Sequence, residues 1–260
     1  MDLQLAGKRA LVTGASQGIG AAIALHLAAE GCALSITARS AKKLAALRQE
    51  IETVHGVAVQ DIALDLTAPG SIAALAERAG PLDILINNAG AIPAGRLHEI
   101  DDAKWRAVWE LKLFGYINLI REVYPRMAED GGGVVINICG ASGQRPKANY
   151  ICGAMANTGL MSFTQALGCA SMDDGIRVVA LSPGPVETEH LVELMKNSAV
   201  ERLGDAERWR ELCQPLSEGR AATVDEIAYM AVFLASPRSS YTSGTVVTVD
   251  GGYCNRGSLM

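Results

Sequence analysis

Several features that would fix a class at once are missing from this sequence. There is no C-x-x-C pair: Cys32, Cys139, Cys152, Cys169, Cys213 and Cys254 are scattered, several of them in apolar runs where a thiol packs as a small hydrophobe. A disulfide framework is not expected, and a reduced, cytoplasmic chain is. There is no H-x-x-x-H spacing and no Cys/His cluster, and His98 and His190 stand alone, so no metal is expected. Nor is there a stripe of one charge: 23 basic and 28 acidic residues are interspersed, with a formal net charge of -5, which speaks against nucleic acid or an anionic membrane as partner. No apolar run is long enough to span a bilayer, and "MDLQLAGKRALVTGAS" shows neither a charged n-region leading into an apolar stretch nor a cleavage site. No repeat, low-complexity tract or linker divides the 260 residues, so one domain over 1–260 is expected.

What is present is a rhythm. Short β-rich runs, "RALVTG", "ALSIT", "VAVQDIAL", "LDILIN", alternate with helical patterns over Ile19–Glu30, Ala41–Val54 and Ser71–Ala79. A long helical pattern over about Asp102–Met127 follows, then strand "VVINI", a helix over about Tyr150–Ala170, strand "IRVVAL", a helix over Val224–Ala235 and strand "TVVTVDGG". Such alternation predicts an α/β fold, a Rossmann-like doubly wound parallel sheet of about seven strands with helices on both faces. The mixed-charge run at about 186–219 follows a strand end and is expected to overhang the carboxyl edge of the sheet as a lid.

Between the first strand and first helix lies "TGASQGIG", in which Gly14, Gly18 and Gly20 allow a tight turn and a helix N-terminus offers free N–H groups to a pyrophosphate. A glycine-rich turn alone is also compatible with plain chain reversal. Further stretches fall at strand ends, the edge where open α/β sheets bind ligands: "ALDLT" with Asp65, "NNAG" at Asn87–Gly90, and "SPGPVET". With these motifs in place, the chain resembles the short-chain dehydrogenase/reductase family from the first strand through the terminal "VDGG".

The resemblance implies a nicotinamide dinucleotide lined by Gly14, Ser16, Gly18 and Ile19, adenine held by Asp65 and Leu66, a ribose flanked by Asn88 and Gly90, and Pro183, Gly184 and Thr188 at the nicotinamide. Asn88 equally suits bracing the loop, and Thr188 capping a helix ahead of Glu189. The second strand ends "ITARS": Ala38 and Arg39 stand where an acid would accept the 2′-OH of NAD, which favours NADP over NAD, although an exposed arginine is also satisfied by solvent. Gln17 occupies the other common phosphate-binding position.

Family members resemble one another in an Asn-Ser-Tyr-Lys tetrad, and here the match breaks. Aligning "GAMANTGLMSFTQALG" on the family's Y-x-x-x-K helix puts Gly153 at the tyrosine and Asn157 at the lysine. The serine, thirteen residues earlier, becomes Gly140; Trp105, Leu111, Leu113 and Gly115 match the preceding helix and leave Lys112 at the asparagine. Lys112 and Asn157 read as a reciprocal exchange. Tyr150, about one helical turn before Gly153, together with Lys112 and Ser142, is therefore the expected replacement for the acid/base group. Tyr150 as a pocket-lining aromatic, Lys112 paired elsewhere and Ser142 as a turn residue remain open.

Three readings follow. The first is an NAD(P)(H)-dependent oxidoreductase transferring hydride at a carbonyl or alcohol carbon of a small organic substrate, with a displaced proton donor. The second is a dinucleotide-binding scaffold without turnover, and the third a lyase or isomerase using Lys112. A homotetramer or homodimer is expected, with Met155, Leu160, Met161 and Phe163 offering apolar area.

Overall fold

The computed structural model describes residues 1–90 and 92–257. Seven strands form one all-parallel sheet in the order β3-β2-β1-β4-β5-β6-β7: β1 (Arg9–Thr13), β2 (Ala33–Ala38), β3 (Val59–Ala63), β4 (Ile84–Asn87), β5 (Gly133–Ile138), β6 (Ile176–Pro183) and β7 (Thr245–Val249). Both halves wind outward from the β1/β4 boundary, so a crevice opens there at the carboxyl edge.

Side chains alternate across the sheet, and each face recruits its own helices. Ala10, Val12, Ile36 and Ile86 point to a core shared with α1 (Gly18–Ala29), α2 (Ala41–His55) and α8 (Val224–Ala235). Leu11, Leu85 and Val135 point the other way, toward α3 (Ser71–Ala79), α5 (Gly115–Glu129) and α6 (Ile151–Gly168). Parallel strands buried on both faces must be apolar nearly throughout, and all eight residues of β6 are buried. Among them Arg177 donates to the carbonyls of Leu234, Ala235 and Ser236, so a buried cation sits on the C-terminal end of α8, where the helix dipole favours it.

One expectation needs correction. The long helix of 102–127 is α4 (Asp102–Trp109), a π-helical turn over Glu110–Phe114, and α5. The mixed-charge run of 186–219 holds a 15-residue helix, α7 (Glu189–Leu203), and a 3-10 run over Ala206–Cys213. These pack on each other through Ala199, Trp209 and Cys213, with Val192, Met195 and Leu203 around them, a cluster separate from the cores of the sheet. The segment leaves and returns at one place, where Val186 bridges Ala222 and Glu187 N donates to Ala222 O at 2.8 Å.

Candidate active site

At the crevice, β1 ends in a turn with room for backbone only. Gly14 has φ 64°, and a Cβ there would stand 2.8 Å from Ala89 Cα. A Cβ on Gly20 would meet Gly14 O and lie 2.5 Å from Asn88 Nδ2. Thr13 Oγ1 accepts from the N–H groups of Asn88 and Ala89, and Asn88 Nδ2 donates to the carbonyls of Thr13 and Gly14, so β1 and β4 are clamped together behind the turn. Asn88 thus braces the loop, one of its two expected roles.

The turn delivers α1 with its N-terminus open. Gln17 is extended, no side chain caps the helix, and its first turn holds no acid. Free N–H groups and an uncompensated dipole face the crevice, which suits a diphosphate. Arg39 is exposed at the end of β2. Asp65 stands two residues past β3 rather than at its end; its Oδ1 accepts from the N–H and hydroxyl of Thr67, which hold the carboxyl below its usual range. Leu66 packs beside the core under β3. Thr188 caps α7, accepting from Leu191 N, and its methyl lies 3.3 Å from where a Gly18 Cβ would be. Gly184 passes so close to β7 that a Cβ would stand 2.9 Å from Asp250 Cα.

Side chains, rather than backbone, shape the region between the exit of β5 and the start of α6. Tyr150 is the N-cap residue of α6 (φ -143°, ψ 35°), not part of the helix as expected, yet its ring lies over Gly153. A Cβ on Gly153 would be 2.7 Å from Tyr150 Cζ and 2.8 Å from Ile92 Cγ2. The ring packs beside Ile92, Ile100, Val108 and Cys152, with Trp105 and Trp109 close by. Asn157, 3% exposed, donates from Nδ2 to Ser142 Oγ at 2.9 Å, while its Oδ1 is buried without a partner. Gly140 makes room for that amide: a Cβ there would be 3.0 Å from Asn157 Nδ2.

Lys112 sits in the π-helical turn, 6% exposed, and donates to Ile138 O at 2.6 Å and to Tyr116 Oη at 2.9 Å. Its stem runs along Gly90, where a Cβ would be 2.9 Å from Lys112 Cδ. The expected trio is therefore not one bonded set: among the described residues Lys112 bonds neither Tyr150, Ser142 nor Asn157. Two pairs, Lys112–Tyr116 and Asn157–Ser142, flank the exit of β5 instead. The nearer partners win, since Ile138 O and the Tyr116 hydroxyl, one turn along the helix, take two of the three ammonium protons.

Burial governs the electrostatics. Desolvation lowers Lys112 to about 8, with the nearby Cys139 acting in the opposite direction. It raises Cys139 and Tyr150 to about 12 each, and Tyr116 well above its ordinary value.

A family model described as enoyl-(acyl carrier protein) reductase matches residues 14–254. Galactitol 2-dehydrogenase (L-tagatose-forming) of Cereibacter sphaeroides is 36% identical over 257 residues, 96% of each chain. The chain belongs to the short-chain dehydrogenase/reductase family. Cis-4-hydroxycyclohexanecarboxylate dehydrogenase of Sinomonas cyclohexanicum is likewise 36% identical, over 97% of this chain and 99% of that one. L-sorbose reductase of Gluconobacter frateurii, solved with NADPH and L-sorbose, superimposes with a TM-score of 0.93 at 31% identity, covering 99% of this chain and all of that one. As a short-chain dehydrogenase/reductase, the chain is an NAD(P)-dependent oxidoreductase of alcohols and ketones.

In this short-chain dehydrogenase/reductase, residues that sequence reasoning passed over brace the candidate site by hydrogen bonds. Tyr116 was findable as the i+4 neighbour of Lys112. Thr13, at the head of the glycine motif, gave no separate signal. Gln144 Oε1, which accepts from Ser182 and Thr248, joins three elements far apart in sequence.

Proposed function

We propose that the protein is an NADPH-dependent reductase of a small ketone, polyhydroxylated or cyclic, in which Tyr150 replaces the tyrosine absent at position 153. The observation that carries this is the Tyr150 ring lying where a side chain from 153 would begin. Support for the cofactor is the uncapped α1, the glycines that admit only backbone, Arg39 with no acid at the end of β2, and the NADPH in the L-sorbose reductase structure. Gly14, Ser16, Gln17, Gly18 and Ile19 would hold the diphosphate, Arg39 the 2′-phosphate, Asp65 and Leu66 the adenine, Asn88 and Gly90 the ribose, and Pro183, Gly184 and Thr188 the nicotinamide. When bound, the dinucleotide supplies the hydride.

The protein's own groups handle the proton. Tyr150, whose phenol burial pushes up to about 12, is protonated at neutral pH and is read as the proton donor to a developing alkoxide. Asn157 spends its N–H on Ser142 and leaves the Ser142 proton free to point at the substrate oxygen. Lys112 acts at a distance, as a buried positive charge at the exit of β5. The 186–219 segment is read as the lid over a single domain. The names of the relatives, a ketose-forming dehydrogenase, a ring-alcohol dehydrogenase and a ketose reductase, support the substrate class.

We also read the chain as a cytoplasmic homotetramer or homodimer. All six cysteines are free, and Met155 and Phe114 are exposed apolar groups. Leu160 and Met161 are buried in the chain's own core and Phe163 packs against it, so they add little outward-facing area.

The test is NADPH consumption with L-sorbose, L-tagatose and 4-oxocyclohexanecarboxylate. Tyr150→Phe is expected to lower kcat by about 10²- to 10⁴-fold with NADPH affinity unchanged. A retained rate would remove Tyr150 from the chemistry. One NADPH bound per chain with no ketone consumed would instead establish the reading without turnover.

A further inference from the structure

Lys43 belongs to no motif, yet it connects three elements at the dinucleotide end. Ser40 caps α2 by accepting from Lys43 N, which fixes the residue in the first helical turn. From there Lys43 Nζ reaches Gln17 Oε1 at 2.5 Å and Glu189 Oε2 at 3.5 Å. Gln17 is the last residue before α1, and Glu189 is the first of α7. The Gly18–Thr188 approach crosses the same gap one residue along on each side. Arg39, four residues before Lys43, has no ion-pair partner among the described residues.

We propose that Lys43 is a selectivity group for the 2′-phosphate and that Glu189 is its built-in competitor. This rests on the NADP reading above. Without the phosphate, Lys43 holds the first turn of α7 against the glycine-rich loop. A 2′-phosphate takes the ammonium from Glu189, and a dinucleotide lacking that group leaves the pair intact. The exchange is downhill because the Lys43–Glu189 pair is long and exposed, whereas a phosphate brings more charge and three acceptor oxygens. Nor is Glu189 stranded when released, since a carboxylate at a helix N-terminus is favoured there. The start of α7 is thus freed by the phosphorylated dinucleotide and stays tied with the unphosphorylated one.

The test is fluorescence titration of NADPH and of NADH at one ionic strength against wild type, Lys43→Gln, Glu189→Gln and the double variant. Glu189→Gln is expected to tighten NADPH by about 5-fold and leave NADH unchanged, because it removes only the competitor. Lys43→Gln should weaken NADPH by about 10-fold or more. In the double variant the gain from Glu189→Gln should vanish, the sign of a shared partner. The proposal is overturned if Glu189→Gln shifts both nucleotides alike or neither, or if its gain survives in Lys43→Gln. A wild type that binds NADH as tightly as NADPH would sink the NADP reading itself. A preference for NADPH that Lys43→Gln leaves intact would sink only the role of Lys43 and return the phosphate to Arg39.

Discussion

Around Gly14 and Gly20 the crevice consists of backbone pressed against backbone, whereas around Gly140 and Gly153 the space a side chain would take is filled by other side chains, Asn157 and Tyr150. The same residue type therefore does two different jobs. At the dinucleotide end, glycine is demanded by a main chain that cannot retreat, and the clamp through Thr13 and Asn88 keeps it so. At the reacting end, glycine yields room to groups arriving from elsewhere, and these can move. One end therefore tolerates almost no change, while the other can be rebuilt from neighbouring parts.

Substitutions can break or sharpen this contrast. The largest effect is expected from Gly20→Ala, whose methyl meets Gly14 O and Asn88 with nothing flexible to give way. A loss of about 3 kcal/mol in dinucleotide binding or in stability, by titration or thermal unfolding, is expected. A variant that binds normally would show that this end has the same slack as the other.

Lys112→Met comes next and should work the other way. The folded chain holds this amine at about 8 against an ordinary 10.5, so between those values the unfolded chain keeps more protons and stability rises with pH. Below about pH 8 the full penalty for burying the charge stands, about 3 kcal/mol by the size of the shift. The variant should be more stable than wild type at pH 7 by up to about that amount, lose the upward slope between about pH 8 and 10.5 in denaturant titrations, and turn over more slowly. A gain in stability at the expense of rate is what a charge kept for function leaves behind.

Gly153→Ala is the mildest. Its methyl competes with the Tyr150 ring, which can swing about its own side-chain bonds, so a kcat loss of about 10-fold with intact dinucleotide binding is expected, roughly 1.4 kcal/mol. A full rate would mean that the Tyr150 position is unimportant to catalysis.

How far the residues revealed all this depended on distance along the chain. The limits of α8 were legible to the residue because Thr223 and Glu226 form a reciprocal cap and Ser236-Pro237 ends the helix. The π-helical turn at Glu110–Phe114 was not, for the apolar period continues through it and Gly115, which ends it, keeps an ordinary helical backbone. Tyr150 was placed correctly over Gly153 although it lies outside the helix, since the cap residue still faces the first turn. The pairing of Asn157 with Ser142 and of Lys112 with Ile138 needed the exit of β5 threaded between two helices. Lys43 needed α1, α2 and α7 together.

The segment between Val186 and Ala222 has its own apolar centre at Trp209 and is joined to the sheet where it departs and returns. Such a piece behaves as a cartridge. It should open in hydrogen exchange as one unit with a single free energy rather than residue by residue. On the lid reading, what the enzyme admits could change through this one part, so long as Thr188, whose methyl lies against Gly18, keeps its place.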